Sequence, residues 1–268
     1  MNETLKRALS GAVYIILLLS CILYSKISLA ILFGIFLLIA AYEFSKIAAI
    51  NFKISIIISV VSYFFLWNED SNYMLNNIIT SISILISIRL LFFLFQNQEN
   101  AFNIITKYLF LFGYIILPFV LVNYIPMGVK GYNPKILVSI LILIWTNDTF
   151  AYVVGKSLGK NKLFPKVSPK KTIEGFIGGM FFAVISSYLL ANFFLEAKII
   201  YIWLIIAIIV SVFSTLGDLI ESKFKRVAGI KDSGSIMPGH GGILDRLDSI
   251  IYVVPFINLF YLILRYVS

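Results

Sequence analysis

The sequence predicts an all-α, polytopic integral membrane protein with about nine transmembrane helices. Hydrophobic residues make up 60% of the chain and charged residues only 13%. The mean hydropathy is +0.97, which is far above the range of soluble globular proteins. Apolar runs recur along nearly all of the 268 residues, and no polar segment is long enough to form a soluble domain. We therefore expect a single membrane domain over residues 1–268.

Each predicted helix is an apolar run of roughly 20 residues, the length that crosses a hydrocarbon core of about 30 Å. By that rule the helices lie near residues 8–25, 27–45, 53–67, 75–95, 104–125, 135–155, 173–195, 198–220 and 249–267. The third run is short and the fourth contains Arg89, so a count one lower or one higher stays open. The first run also resembles a secretory signal, because Lys6 and Arg7 precede it. The many further apolar runs favour a transmembrane helix there.

The distribution of the 22 Lys and Arg residues predicts the orientation. With the N-terminus inside, most of them fall in inner segments, as the positive-inside rule requires. Two long polar loops, near 156–172 and 221–248, then face the cytoplasm together, because the two spans between them return the chain to one side. We divide the domain into an N-terminal helical part, 1–135, and a part that holds both loops, 136–268. This bias also explains the net charge of +9 without nucleic acid binding.

Asp148 is a functional candidate because of its position in the membrane. It belongs to the segment "WTNDTFAYVVGKSLGK" and falls inside the sixth apolar run. An aspartate at the centre of a span costs about 2.5 to 3.5 kcal/mol on insertion, so such residues usually serve a function. The single Cys21 and single His240 cannot supply the ligands of a zinc site. Any metal ion must therefore be held by oxygen atoms.

A phosphate site is predicted in "KVSPKKTIEG", residues 166–175. Ser168 would be the N-cap of a helix with Pro169 at the first position, which places Lys170 and Lys171 in the first turn. The helix dipole disfavours cations there. An anion bound to the lysines and to the backbone N–H groups would resolve that conflict. The alternative is that the lysines only anchor the loop on the inner side.

Two pairs of acids flank the second loop. Asp218 and Glu221 in "STLGDLIESKFKR", and Asp245 and Asp248 in "DRLD", are three residues apart, so each pair shares a helical face. Carboxylates combined with substrate phosphates suit magnesium, and we predict Asp218 and Asp245 as the metal ligands. Ion pairs between the two helices, such as Asp248 with Lys225 or Arg226, are the structural alternative.

The only histidine, His240, lies in "PGHGG". The flanking glycines permit backbone bends and leave the ring with little side-chain cover. Its position beside two acids on an interfacial loop favours contact with a phosphate. A structural role is the alternative.

The segment 222–248, "SKFKRVAGIKDSGSIMPGHGGILDRLD", resembles the signature of the phosphatidate cytidylyltransferases, also called CDP-diacylglycerol synthases. The matching positions are Ser222, Lys225, Arg226, Lys231, Asp232, Gly234, Pro238, His240, Gly241, Gly242, Asp245, Arg246 and Asp248. Met237 stands where that family more often has leucine, isoleucine or phenylalanine, a mild departure at an apolar position. The segments "NDTFAYVVGKSLGK" and "SPKKTIEG" are also similar to segments of that family. The resemblance covers about residues 145–250, and the first five spans match only in being apolar.

The resemblance implies that CTP and phosphatidic acid react to give CDP-diacylglycerol and pyrophosphate. It also implies an all-helical membrane fold, a homodimer, and a magnesium ion that a potassium ion can accompany. Carried over to this sequence, the metal ligands would be Asp218 and Asp245. Catalytic roles would also fall to Lys231, Asp232, His240 and Arg246. The nucleotide and its phosphates would lie against Asp148, Ser168, Lys170, Lys171, Lys225 and Arg226.

The polar residues fit this chemistry. The phosphate of phosphatidic acid is already an anionic nucleophile, so attack on the α-phosphorus of CTP needs no serine or cysteine. It needs charge neutralisation and in-line positioning, which a metal ion and lysines supply. The two substrates can meet only at the edge of the membrane, where the loops lie. Abundant isoleucine, lysine and asparagine suggest a bacterial cytoplasmic membrane, with the N-terminus and the site cytoplasmic.

Two other functions are the alternatives to this one. A CTP-dependent polyprenol or lipid-alcohol kinase belongs to a family that is distantly similar in its membrane fold, but the long match "KDSGSIMPGHGGILDRLD" favours the cytidylyltransferase. An ion-coupled transporter would use Asp148 and Asp218 as an ion path. Transporters often contain inverted repeats. The sequence shows no such repeat, and its acids gather on one side.

Overall fold

The computed structural model describes residues 3–67, 73–96, 102–128, 131–197, 199–237, 239 and 241–267. In this part of the chain the helices are α1 (Glu3–Tyr24), α2 (Lys26–Ile47), α3 (Phe52–Trp67), α4 (Tyr73–Phe95), α5 (Ile104–Phe110), α6 (Leu117–Leu121), α7 (Pro134–Leu158), α8 (Ile173–Leu189), α9 (Ile200–Val227) and α10 (Leu244–Val267). Two π-helical stretches, Leu111–Ile116 and Leu190–Phe194, join α5 to α6 and extend α8. Two small antiparallel hairpins pair β1 (Met127–Gly128) with β2 (Gly131–Tyr132) and β3 (Lys162–Phe164) with β4 (Ser168–Thr172).

Among the described residues, 8 helical segments are long and apolar enough to cross a membrane. They are α1, α2, α4, the continuous α5–α6 segment, α7, α8 with its extension, α9 and α10. The predicted third span corresponds to α3, which has 16 residues. At 1.5 Å per residue it is about 24 Å long, shorter than a hydrocarbon core of about 30 Å. The all-α, polytopic membrane fold is therefore confirmed, with eight long spans and one shorter apolar helix.

Small residues allow α7 and α8 to pack closely. A Cβ atom on Gly179 would lie 2.6 Å from the carbonyl oxygen of Asn147, and one on Gly175 would lie 2.6 Å from that of Ala151. Neither distance is possible for a real side chain, so only glycine fits at these two positions. The close contact brings the polar end of α7, which carries Asp148, beside the start of α8.

The helices α9 and α10 also cross closely, at Gly217. A Cβ atom there would lie 2.7 Å from the carbonyl oxygen of Asp248. This crossing places Asp218 next to the first turns of α10. The two pairs of acids identified in the sequence are therefore on neighbouring helices.

The loop between these two helices is shorter than predicted. It was expected over 221–248, but α9 continues to Val227 and α10 already begins at Leu244. Residues 221–227 contain no helix breaker, and Phe224 is buried against the rings of Phe44 and Phe110. The helix ends where Gly229 adopts a φ of 70°, a conformation that glycine reaches at little cost. The connecting loop is thus residues 228–243, and all four acids lie on helices.

Candidate active site

A cavity of about 620 Å³ lies between α7, the β3–β4 hairpin, α8, α9 and the start of α10. Four lysines line it: Lys156, Lys162, Lys170 and Lys171. Four aspartates line it as well: Asp148, Asp218, Asp245 and Asp248. The fold thus brings together predicted site residues from four separate sequence segments. We call this space the lysine cavity.

The β3–β4 hairpin presents Lys170 and Lys171 to the lysine cavity, and the prediction that a helix begins at Ser168 is wrong. Ser168 pairs with Phe164 in the hairpin. The N-cap of α8 is Thr172, whose hydroxyl accepts a hydrogen bond from the N–H of Gly175 at 3.1 Å. The two lysines therefore belong to a strand rather than to the first turn of a helix, and the dipole argument for a phosphate site does not apply to them.

Tertiary packing explains why Thr172 is the cap. Its hydroxyl oxygen would lie 2.9 Å from a Cβ on Gly155, and its methyl carbon 2.7 Å from one on Gly159. The threonine therefore sits against bare backbone at the end of α7, and this contact sets where α8 begins. Glu174 reinforces the junction, because its carboxylate accepts hydrogen bonds from the backbone N–H groups of Lys160 and Asn161, each at 3.1 Å.

Lys171 and Asp218 form an ion pair inside the lysine cavity. The Lys171 ammonium lies 2.5 Å from Oδ2 of Asp218, and Oδ1 of Asp218 accepts a hydrogen bond from Ser222 at 3.1 Å. The two side chains are 27% and 37% exposed, so solvent screens the pair. A bound phosphate can therefore compete for the lysine, and a cation can compete for the carboxylate.

Asp245 is engaged in a different way. Its Oδ1 accepts from the Lys225 ammonium at 2.7 Å. Its Oδ2 lies within hydrogen-bond distance of three donors: the Ser233 N–H and hydroxyl, both at 2.9 Å, and the Gly242 N–H at 2.8 Å. A carboxylate offers about four lone-pair sites, two on each oxygen, so these donors saturate Oδ2 and leave one site free on Oδ1. Asp245 therefore holds the loop 228–243 against α9.

Lys225 joins two acids rather than lining the cavity. It pairs with Glu221 one turn earlier on α9 and with Asp245 on α10. Glu221 is buried. An interhelical ion pair, the structural alternative to metal binding, is therefore present, but it joins Lys225 to Asp245 and not to Asp248.

Sequence reasoning missed Glu43. This residue of α2 is buried, and its carboxylate contacts the loop 228–243 and the start of α10. Oε1 accepts from the N–H of Ile243 at 3.1 Å and Oε2 from the N–H of Leu244 at 2.8 Å. The signal was present in the sequence, because an acid inside an apolar run is costly and calls for partners.

A second cavity, of about 480 Å³, lies between α1, α7 and α10. Its apolar lining residues include Tyr14, Ile15, Leu141, Ile144 and Trp145. Arg246 contributes the cation. Both cavities are lined by Asp148, Asp245, Asp248 and Ser249. These four residues form a wall that the two cavities share.

Three further predicted residues lie in or beside the loop. Lys231 and Asp232 are exposed on it and do not line either cavity. Arg226 contacts the carbonyl oxygen of Val167 at 3.5 Å and supports the turn of the hairpin. His240 lies outside the described residues, so its predicted contact with a phosphate stays a prediction.

The donor set of the lysine cavity fits a magnesium ion held jointly with a substrate. Within the described residues no three His, Cys, Asp or Glu side chains are arranged to hold a metal by themselves. Magnesium usually binds through one or two carboxylates plus substrate phosphates, so a cage made only of protein is not required. Asp218, Asp148 and Asp248 line the cavity without the full set of donors that surrounds Asp245.

Comparison with known proteins supports the resemblance. Residues 5–264 match the cytidylyltransferase family. The phosphatidate cytidylyltransferase of Staphylococcus haemolyticus (strain JCSC1435) is 50% identical over 119 residues, and that of Staphylococcus aureus (strain COL) is 51% identical over 118 residues. Each alignment spans 44% of this chain and 45% of the relative, less than half the length of either protein. Because the family match extends over nearly the whole chain, the protein belongs to the cytidylyltransferase family.

Proposed function

We propose that this protein is a phosphatidate cytidylyltransferase, which converts CTP and phosphatidic acid into CDP-diacylglycerol and pyrophosphate. The observation that carries the proposal is the wall shared by the two cavities. On one side of it four lysines line the first cavity, and on the other side Arg246 and several apolar side chains line the second. This arrangement suits an enzyme that joins a soluble polyphosphate to a membrane lipid.

The lysine cavity suits CTP. Lys156, Lys162, Lys170 and Lys171 can neutralise a triphosphate, and lysines bind phosphate as point charges. The second cavity suits phosphatidic acid, since its apolar side chains can contact an acyl chain and the guanidinium of Arg246 can pair with the lipid phosphate. A phosphate oxygen at the wall could then approach the α-phosphorus of the nucleotide from the other side.

The proposed reaction is a displacement at phosphorus. An oxygen of the lipid phosphate forms a bond to the α-phosphorus of CTP, the bond from that phosphorus to the bridging oxygen of the β-phosphate breaks, and pyrophosphate leaves with those electrons. The nucleophile is already ionised, so no side chain has to remove a proton. The contribution of the protein is to position the two substrates and to balance their charge.

A magnesium ion fits this site, and Asp218 with Asp148 or Asp248 would hold it together with phosphate oxygens. When bound, it would neutralise charge on the triphosphate as a Lewis acid. The sequence also predicted Asp245 as a ligand, and that role stays a prediction, because donors leave only one lone-pair site free on its Oδ1. A potassium ion and a homodimer rest on the resemblance alone.

We further propose that the N-terminus and the site face the cytoplasm of a bacterial cell. A Cβ atom on Gly239 would lie 2.6 Å from the Arg7 side chain, so the start of α1 and the loop 228–243 are at the same end of the molecule. That end carries the four lysines of the cavity, and cations accumulate on the inner side of membranes. CTP is also available on that side.

The direct test is to ask which phosphorus of CTP enters the lipid. The purified protein in detergent receives phosphatidic acid, magnesium and CTP labelled at the α or the γ position, and parallel reactions contain a polyprenol in place of phosphatidic acid. We expect the α label in the lipid and release of pyrophosphate. Transfer of the γ label to the polyprenol would show a lipid-alcohol kinase instead. No transfer to either acceptor would contradict both enzymes and favour the transporter.

A further inference from the structure

Glu43 connects the N-terminal helices to the loop and helix that build the proposed site. It lies on α2, far in sequence from residues 233–244, yet its carboxylate meets three of their donors. Besides the N–H groups of Ile243 and Leu244, the Ser233 hydroxyl lies 3.1 Å from Oε2. With 2% of its surface exposed, Glu43 depends on these donors for the stabilisation that water would otherwise give.

The contact caps α10 from outside that helix. The first N–H groups of a helix have no partner within it, and the positive end of the helix dipole favours an anion. Glu43 supplies the anion to α10, which carries Asp245, Arg246 and Asp248 in its first turns. The position of these three residues therefore depends on a side chain of α2.

Two glycines of the loop are shaped to this carboxylate. A Cβ atom on Gly234 or on Gly242 would collide with Oε1 of Glu43. The loop thus closes around Glu43 from two directions, and its backbone makes room for the carboxylate. Gly234 and Gly242, which belong to the sequence signature, are therefore required because a side chain at either position would collide with Glu43.

Ser233 extends the contact to Asp245. Its hydroxyl lies 3.1 Å from Oε2 of Glu43 and 2.9 Å from Oδ2 of Asp245, and it has one proton to donate. Its backbone N–H also donates to Asp245, at 2.9 Å. Glu43, Ser233 and Asp245 therefore form one network across α2, the loop and α10.

We propose that Glu43 is a positioning residue for the transfer reaction: it fixes the loop 228–243 and the first turn of α10, so that Asp245, Asp248 and Arg246 stand correctly at the wall between the cavities. This role rests on the proposed function. Glu43 lines neither cavity, and it acts through the residues that it holds.

The test uses Glu43→Gln in the full-length protein. Glutamine has nearly the same shape, but one of its two terminal atoms is a donor. Both carboxylate oxygens of Glu43 accept from backbone N–H groups, so either orientation of the amide leaves two donors facing each other. We expect a loss of kcat of about tenfold or more, with the Kd for CTP changed by less than about threefold, because the lysine cavity is built by other residues. Glu43→Asp keeps the charge and should lose less.

A second readout does not depend on the reaction. Hydrogen exchange of the amides of Ile243 and Leu244 should become about tenfold faster in Glu43→Gln, because these amides lose their acceptor. Glu196→Gln, the same change at an exposed acid beyond the far end of α8, is the control and should alter neither exchange nor kcat.

The outcomes separate this role from the proposed function. If the wild-type protein transfers no label, the proposed function fails, while the exchange experiment still tests the contact. The positioning role would be overturned if hydrogen exchange at Ile243 and Leu244 stayed unchanged in Glu43→Gln. It would also be overturned if that exchange became faster while kcat, expressed per CTP-binding site, stayed unchanged. Should Glu43→Gln not fold, Glu43→Asp replaces it, and there too a wild-type kcat with wild-type exchange would overturn the role.

Discussion

The ammonium group of Lys225 lies 2.7 Å from Oδ1 of Asp245 and joins α9 to the start of α10. The same ammonium pairs with Glu221. Glu221 is 1% exposed and Lys225 is 11% exposed, so these charges have lost most of their hydration. One cation balances two acids, and its removal would leave both uncompensated.

We therefore expect Lys225→Met to lower the free energy of unfolding by about 3 to 5 kcal/mol, the usual cost of breaking a buried ion pair from one side. Reversible unfolding in detergent micelles measures the change. Lys53→Met, at an exposed lysine near the start of α3, is the matched control and should change the free energy by less than about 0.5 kcal/mol. Equal effects in the two variants would contradict this account.

Asp218 and Asp245 should respond differently to replacement by asparagine. Asp218 is partly exposed and bound to one lysine and one serine. Asp218→Asn should therefore leave unfolding nearly unchanged while lowering transfer by about a hundredfold or more, if the carboxylate holds charge in the transition state. Detergent unfolding and the labelled-CTP assay are measured on the same preparation.

For Asp245→Asn we expect a loss of both stability and transfer. The amide group of asparagine would face one of the donors that now converge on the carboxylate, at a cost of about 1 to 3 kcal/mol for an unsatisfied donor. Near-normal transfer in Asp218→Asn would argue against its role at the metal. Unchanged stability in Asp245→Asn would argue that the loop does not depend on this residue.

The two cavities predict reciprocal kinetic effects. Lys170→Gln should raise the KM for CTP by about tenfold and leave that for phosphatidic acid unchanged, because Lys170 lines only the lysine cavity. Arg246→Gln should raise the KM for phosphatidic acid and leave that for CTP unchanged, since Arg246 lines the second cavity. Initial rates in mixed micelles, with each substrate varied in turn, give both constants. Lys166→Gln in the hairpin turn is the control for Lys170→Gln. If Lys170→Gln and Arg246→Gln each changed the KM values for both substrates in the same way, the assignment of one substrate to each cavity would be refuted.

The orientation can be tested with single cysteines. The chain has one cysteine, Cys21, so Cys21→Ala provides a background without thiols. In that background Lys166→Cys marks the hairpin, and Glu196→Cys marks the opposite end of α8. In intact cells a membrane-impermeant maleimide should label only Glu196→Cys, and permeabilised cells should show both. The reverse pattern would place the site on the outer side of the membrane.

Much of the fold followed from the apolar runs. Their lengths predicted the spans, because a helix in a membrane must satisfy its backbone groups internally. Several boundaries at polar ends were wrong. Residues 221–227 are polar or basic in large part, yet they remain helical because Phe224 is buried in an aromatic cluster with Phe44, Phe93 and Phe110. Composition reports solvent preference, and it does not report such a tertiary contact.

The residues that line the lysine cavity were largely predictable from the sequence, whereas their geometry was less so. Asp148, Lys170, Lys171, Asp218 and Asp245 were identified in the sequence and do line one cavity. The capping signal at Ser168 was misleading, because Thr172 carries a similar signal and packs against Gly155. Glu43 was missed, although the rule that singled out Asp148, an acid inside an apolar run, applies to it equally.

The fit between Glu43 and the two glycines of the loop bears on how this protein can be recombined with its relatives. Gly234 and Gly242 leave room for the carboxylate of Glu43, a residue of α2. A chimera that takes its N-terminal helices from one species and its last helices from another keeps this fit only if both parents have matching residues at all three positions. Exchanges of α2 should therefore be designed together with residues 233–244, even though the two segments are nearly 200 positions apart.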